Sequence, residues 1–249
     1  MFFSSENSDK NGKEVLKNLF YFVESPMLDC NQYIIKNPDT NELALFDAGN
    51  GISLKGLFNG MVKFDLDYHN ITKVFLTHEH VDHVLGLYPL IKALGENPPG
   101  IFAYGETVNV LRSGEKSKII PDILGIDLNM FGIEILPLKV NDLAEVQEIA
   151  ITDDFTFQIH YTPGHSIGSI CYYEPLKKIL IPGDLIFTGG SFGRYDFPGG
   201  SLNKLIDSIK SINNLDVKFL LPGHMGISDS GNQQIELSYR MIQSMGSFY

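Results

Sequence analysis

The stretch FLTHEHVDHVLGL, residues 75–87, constrains this chain more than any other. It sets His78, His80, Asp82 and His83 directly behind an apolar run, in a chain that has seven histidines in all. Neutral imidazole and carboxylate are ligand types that zinc, iron and manganese accept at a hydrolytic site. Alternate residues of an extended segment point to one side, so His78 and His80 can face one ion. Asp82 and His83 come where the chain is expected to turn into a helix, which re-aims them at a second point nearby. The spacing is not the H-E-x-x-H of zinc proteases, because Asp82 stands where the second histidine would be. Solvated loop histidines are the bland alternative, and they require the pattern to be a coincidence.

A large fold seldom closes a metal site from one loop, so partners are expected at the ends of other strands. Three apolar runs end in the same punctuation: HYTPGH at His165, KILIPGD at Asp184 and KFLLPGH at His224. Each delivers a candidate ligand just past a Pro-Gly, where a turn leaves a sheet edge. These residues suit two ions with one bridge. His78, His80 and His165 are assigned to the first ion, and Asp82, His83 and His224 to the second. Asp184 spans both, since a carboxylate has two oxygens. The two other histidines fit no such pattern: His69 is expected to be exposed, and His160 to be a hydrogen-bonded packing residue or a support for the ligands.

Short apolar runs read as strands at 31–36, 42–47, 73–77, 101–104, 155–162, 169–174, 177–182 and 218–222. Helices are expected at 84–95, ending on Gly95, at 201–212 with Ser201 as its cap, and at 232–245. Strands with flanking helices make a layered α/β protein. The chain is taken as one domain, 1–249, with an elaborated connection at about 119–150.

The charge sum of −11 argues against the phosphate-neutralising face that nucleic acid requires. Cys30 and Cys171 cannot staple a chain of this length, and a reducing, cytoplasmic setting is expected. The first residues carry no secretory leader pattern, and no apolar run approaches the roughly 18 residues that span a bilayer. A small-molecule substrate is therefore expected, with neither nucleic acid nor membrane as partner. A homo-oligomer stays open, with the apolar segment around 119–138 as the place for a subunit contact or lid.

With these residues in view, the sequence resembles the metallo-β-lactamase superfamily. Its pattern is nearest the glyoxalase II-like hydrolases, in the form without the C-terminal helical domain. The resemblance runs from ALFDAG (44–49) to LLPGH (220–224), and GRYDFPGG (193–200) resembles the GR-x-DF segment that borders the site in glyoxalase II-like and persulfide dioxygenase proteins. It implies an αβ/βα sandwich of two mixed sheets flanked by helices, and the same seven ligands. It also implies that Asp47 supports the metal loops, although an Asp before a turn reads as readily as a turn residue. Arg194 has two readings: a fork for a substrate carboxylate, or a tie within its own loop.

The expected activity is hydrolysis of a thioester or related ester by a hydroxide bridging two divalent ions, with zinc expected first and iron or manganese as alternatives. Asp82 is the expected catalytic residue, orienting the hydroxide. The resemblance suggests a hydroxyacylglutathione hydrolase-like enzyme, yet only 25 residues follow His224, too few for a helical glutathione-binding domain. A lactonase with the same ligands is one rival. A persulfide dioxygenase with one iron on His78, His165 and Asp184 is another, and a non-catalytic metal-binding module is the third.

Overall fold

The computed structural model describes residues 9–120, 125 and 131–246. They form two compact units, Met1–Ala103 with Val110–Asn141, and Tyr104–Asn109 with Asp142–Tyr249. Each unit is built on a mixed sheet, and helices flank the sheets.

In the first unit, β1 (Gly12–Leu16), β2 (Leu19–Phe22), β3 (Gln32–Lys36) and β4 (Leu43–Phe46) run antiparallel in chain order. The turn between β1 and β2 uses Asn18 at φ 66°, a conformation that asparagine tolerates. The chain then crosses through α1 (Leu54–Val62) to β5 (Ile71–Phe75), which pairs parallel to β4. It crosses again through α2 (Val81–Val84) and α3 (Leu87–Leu94) to β6 (Gly100–Ala103), parallel to β5. Parallel neighbours need such crossovers, and they release their C-terminal ends at one edge of the sheet. Phe46, Phe75 and Phe102 stack across these three strands at 5.4 and 4.9 Å. Asp47 and the histidine run leave that edge side by side.

The helix expected at 84–95 is divided. Gly86 sits so close to the preceding loop that a Cβ there would lie 1.8 Å from the Ala48 carbonyl oxygen, and its N–H bonds Gly49 O at 2.8 Å. This contact separates α2 from α3, which ends on Gly95 (φ 61°) as expected. β1 and β2 were not among the expected strands. LFYF in β2 is buried at every position, so it shows no alternation to read.

The helices α4 (Gly105–Ser113) and α5 (Lys116–Ile119) follow, then β7 (Asn141–Asp142) at the last edge of the first sheet. Part of the expected connection at 119–150 lies outside the described residues, namely 121–124 and 126–130. Its end holds β7 and the start of β8 (Glu148–Thr152), a strand not expected there.

The second sheet has the order β12-β11-β10-β9-β8, with β9 (Phe155–Tyr161), β10 (Ile170–Glu174), β11 (Ile179–Ile181) and β12 (Phe219–Leu220). Both β9 and β11 run antiparallel to β10, so they point the same way, and β12 is parallel to β11. All three strands that carry the Pro-Gly punctuation therefore end at one edge. α6 (Leu202–Ile212) bridges β11 and β12, and its Ser201 caps the Lys204 N–H as expected. Leu205, Ile209 and Ile212 are fully buried with Leu180, Leu220 and, from α7 (Gly231–Gly246), Ile235 and Ile242. Each such side chain contributes about 1.5–3 kcal/mol of burial free energy.

Candidate metal centre

The first unit gathers four of the expected ligands on one short path. After β5 the chain stays extended to His80 (φ −69°, ψ 155°), which precedes α2, and Asp82 and His83 lie in that helix. His78, His80 and His83 are all buried, with the ring of His78 centred 4.7 Å from that of His80 and 4.1 Å from that of His83. Asp82 is half-buried in the first turn.

Hydrogen bonds decide which nitrogen each ring offers. The Asp47 carboxylate accepts from the Thr77 N–H and the Thr77 hydroxyl, each at 2.8 Å, and lies 2.9 Å from His83 Nδ1. A carboxylate only accepts, so His83 carries its proton on Nδ1 and presents an electron pair at Nε2. The single hydroxyl proton of Thr77 is committed to Asp47, so its Oγ1 accepts from His78 Nδ1 at 3.0 Å. His78 thus also presents an electron pair at Nε2. Metal-ligating histidines are oriented in this way, by donating the other ring N–H to a carboxylate or other acceptor.

Asp47 therefore ties the histidine loop at Thr77 and His83. Its backbone adopts φ 54°, and Ala48 N–H bonds the His83 carbonyl at 2.7 Å. Cys30, buried beside Asp47 and His83, was not anticipated. Burial pushes its thiol up to about 11, so it stays protonated at neutral pH.

In the second unit His165, Asp184 and His224 come together. β11 and β12 run parallel and in register, and their turns bond directly, Gly223 N–H to Gly183 O at 2.9 Å. This brings the residues after the two Pro-Gly pairs together: His224 Nε2 lies 3.2 Å from Asp184 Oδ2. His165 Nε2 lies 3.5 Å from the same oxygen. The other nitrogen of His165, Nδ1, donates to the Arg194 carbonyl at 2.6 Å. A neutral His165 then turns an electron pair toward a carboxylate oxygen. Two electron-pair donors placed this way suit a cation between them, and this donor set fits a divalent ion.

The GRYDF segment makes this contact possible. A Cβ on Gly193 would lie 1.9 Å from Asp184 O and 2.9 Å from His165 Nδ1. Arg194 turns its side chain to Asp196, through Nε at 2.9 Å and Nη2 at 2.6 Å, and stacks on Phe197 at 4.4 Å. The guanidinium holds the Asp196 carboxyl below its usual range. The tie within its own loop is thus formed. The carbonyl contact to His165 left no trace in residue type, because any residue has that group.

His69 is exposed as expected and pairs with Asp67 at 2.7 Å. His160 packs against Tyr173, with ring centroids 6.0 Å apart, and burial lowers its pKa. The hydrogen bond expected of it is not made at Nε2 among the described residues. Cys171 is buried against the Thr162 hydroxyl at 3.2 Å, its thiol pushed up to about 12. No described helix is long and apolar enough to cross a membrane.

Residues 26–224 match the model of the metallo-beta-lactamase superfamily. The hydroxyacylglutathione hydrolase GloC of Haemophilus influenzae is 31% identical over 175 residues, which are 70% of this chain and 74% of that protein. Among solved structures, a metallo-beta-lactamase family protein from Thermus thermophilus superposes with a TM-score of 0.74 at 19% identity, covering 93% of this chain and 81% of its own. TTHA1623, solved in a di-iron-bound form, superposes with a TM-score of 0.65 at 26% identity, covering 85% of this chain and 95% of its own. With its strands, helices and motif residues in this order, the chain belongs to the metallo-beta-lactamase superfamily.

Proposed function

We propose that this chain is a metal-dependent hydrolase that holds two divalent ions and cleaves a thioester or related ester. His78, His80 and His165 would hold one ion and Asp82, His83 and His224 the other, with Asp184 as the carboxylate common to both. The observation that carries the reading is the Asp184 carboxylate flanked by the Nε2 atoms of His165 and His224 at 3.5 and 3.2 Å, with His165 Nδ1 already committed to a carbonyl. Support for the thioester comes from the relative named as a hydroxyacylglutathione hydrolase. Zinc is the first expectation for the metal, and the di-iron form of TTHA1623 supports iron as the alternative.

When bound, such ions supply Lewis acidity that polarises a carbonyl and eases deprotonation of water. The chain's own part is orientation. Asp82 accepts a hydrogen bond from the attacking water and receives its proton. Asp47 and Thr77 hold the rings of His83 and His78 in one tautomer, and the Arg194 carbonyl does so for His165. No serine or cysteine nucleophile is needed, and both thiols are buried and protonated.

Metal analysis of the purified protein, combined with turnover of S-lactoylglutathione and of a simple lactone, tests the reading. Two ions per chain with thioester turnover are expected. Two ions with lactone turnover alone would move the substrate to lactones. A single iron with persulfide-dependent oxygen uptake would replace hydrolysis by dioxygenation.

A further inference from the structure

Lys10 is only 3% exposed. Its Nζ donates to Asp29 Oδ2 at 2.6 Å, to Gln32 Oε1 at 2.6 Å and to the Cys30 carbonyl at 3.4 Å, which uses all three of its protons. Asp29, equally buried, also accepts the N–H groups of Ser25 at 2.8 Å and Asn50 at 3.1 Å. Gln32 in turn donates from Nε2 to the Asp47 carbonyl at 3.3 Å. The cluster therefore grips both ends of the turn 47–50, the Asp47 carbonyl through Gln32 and the Asn50 N–H through Asp29.

Apolar residues of similar volume often stabilise a core as well as a buried ion pair does, so stability is a weak reason for this one. Geometry is a better reason. Asp47 sits at φ 54° and Gly49 at φ 75°. The left-handed region is unfavourable for a residue with a Cβ, and it persists where the surroundings over-determine it. From that conformation the Asp47 carboxylate meets Thr77 and His83 Nδ1.

We propose that the Lys10–Asp29–Gln32 cluster is a positioning device for His83. It locks the Asp47 backbone so that the Asp47 carboxylate accepts the hydrogen bond of His83 Nδ1–H and leaves Nε2 as the electron-pair donor to a divalent ion. The inference rests on the two-ion reading and assigns residues outside the ligand set to one of its ions.

Gln32→Glu tests it, because that change keeps side-chain size and the acceptor for Lys10 while it removes the donor to Asp47 and sets a carboxylate charge beside Lys10. Zinc titration calorimetry on the chelated wild type, Gln32→Glu and His83→Ala identifies which binding event belongs to the His83 ion. In Gln32→Glu that event is expected to weaken by about ten- to a hundredfold. The other event stays at its wild-type value. Nitrogen-15 NMR of the metal-free protein is expected to show His83 losing its single Nδ1–H tautomer, which a purely structural role would not alter. Wild-type affinity at both events in a folded Gln32→Glu protein overturns the inference, as does equal weakening of both. If Gln32→Glu does not fold, Gln32→Met, which also lacks the donor, is read against the same outcomes. Wild-type protein that binds fewer than two ions defeats the two-ion reading and this inference with it; two ions in wild type with an unaffected variant defeats this inference alone.

Discussion

The backbone carbonyl of Arg194 accepts the Nδ1 proton of His165 at 2.6 Å, and the opposite nitrogen of that ring lies 3.5 Å from Asp184. One main-chain atom thereby sets which nitrogen of His165 carries the electron pair. The contact depends on Gly193, the residue that lets the 193–197 segment lie against Asp184 and His165.

Gly193→Ala should therefore separate His165 from its carbonyl. A Cβ 1.9 Å from a backbone oxygen forces a shift of the segment, with a stability loss of about 1–3 kcal/mol. Hydrolysis should fall more steeply than stability. Denaturant unfolding alongside turnover checks this, and a fully active Gly193→Ala enzyme would refute the contact's importance.

Asp184→Ala removes the carboxylate that flanks two imidazoles, and Asp82→Asn removes the acceptor assigned to the water. Loss of a group that merely supports a ligand weakens metal binding or activity by about 10–100-fold, so loss of these should cost at least that much. Circular dichroism should show both variants folded. Normal turnover in either removes that residue from the mechanism.

For Arg194→Ala, the two readings of this residue give opposite kinetic signatures. The loop tie to Asp196 acts through the carbonyl on His165, so the expected outcome is a lower kcat with KM near wild type. A KM increase confined to carboxylate-bearing substrates would instead assign the guanidinium to substrate. Steady-state kinetics on charged and neutral thioesters distinguishes them.

Chelation should abolish turnover and lower Tm, and added zinc should restore both. An ion that binds only the folded chain stabilises it by about 4 kcal/mol when its free concentration is a thousand times Kd. Calorimetric scans with and without chelator measure this, and identical scans would mean that no ion is bound.

His160 gives a pH dependence of known sign. Burial lowers its pKa below the ordinary 6.5, so the unfolded chain binds the proton more readily than the folded one. This term leaves stability complete above about pH 6.5 and reduces it as pH falls toward the lowered value. His160→Gln should flatten that part of the Tm profile between pH 5 and 7 relative to wild type. Parallel profiles would show that His160 is accessible to protons in the folded state.

The sequence by itself determined the residue types and their local settings. The His78–His83 knot, the three Pro-Gly turns and the capped helix at Leu202–Ile212 are all written in neighbouring residues, because turn chemistry and helical spacing are local. Those patterns were enough to mark seven candidate ligands and the family. β2 stayed hidden because a strand buried on both faces has no alternation, and the break at Gly86 stayed hidden because its cause is the distant Ala48 carbonyl. Only tertiary structure decided which ring nitrogen His78, His83 and His165 present. His83 meets Asp47 across 36 residues, His165 meets a main-chain atom 29 residues away, and Lys10 reaches Gln32 across 22. Hydrogen bonds of that span depend on where the folded chain returns in space, and no spacing of residues along the chain encodes them.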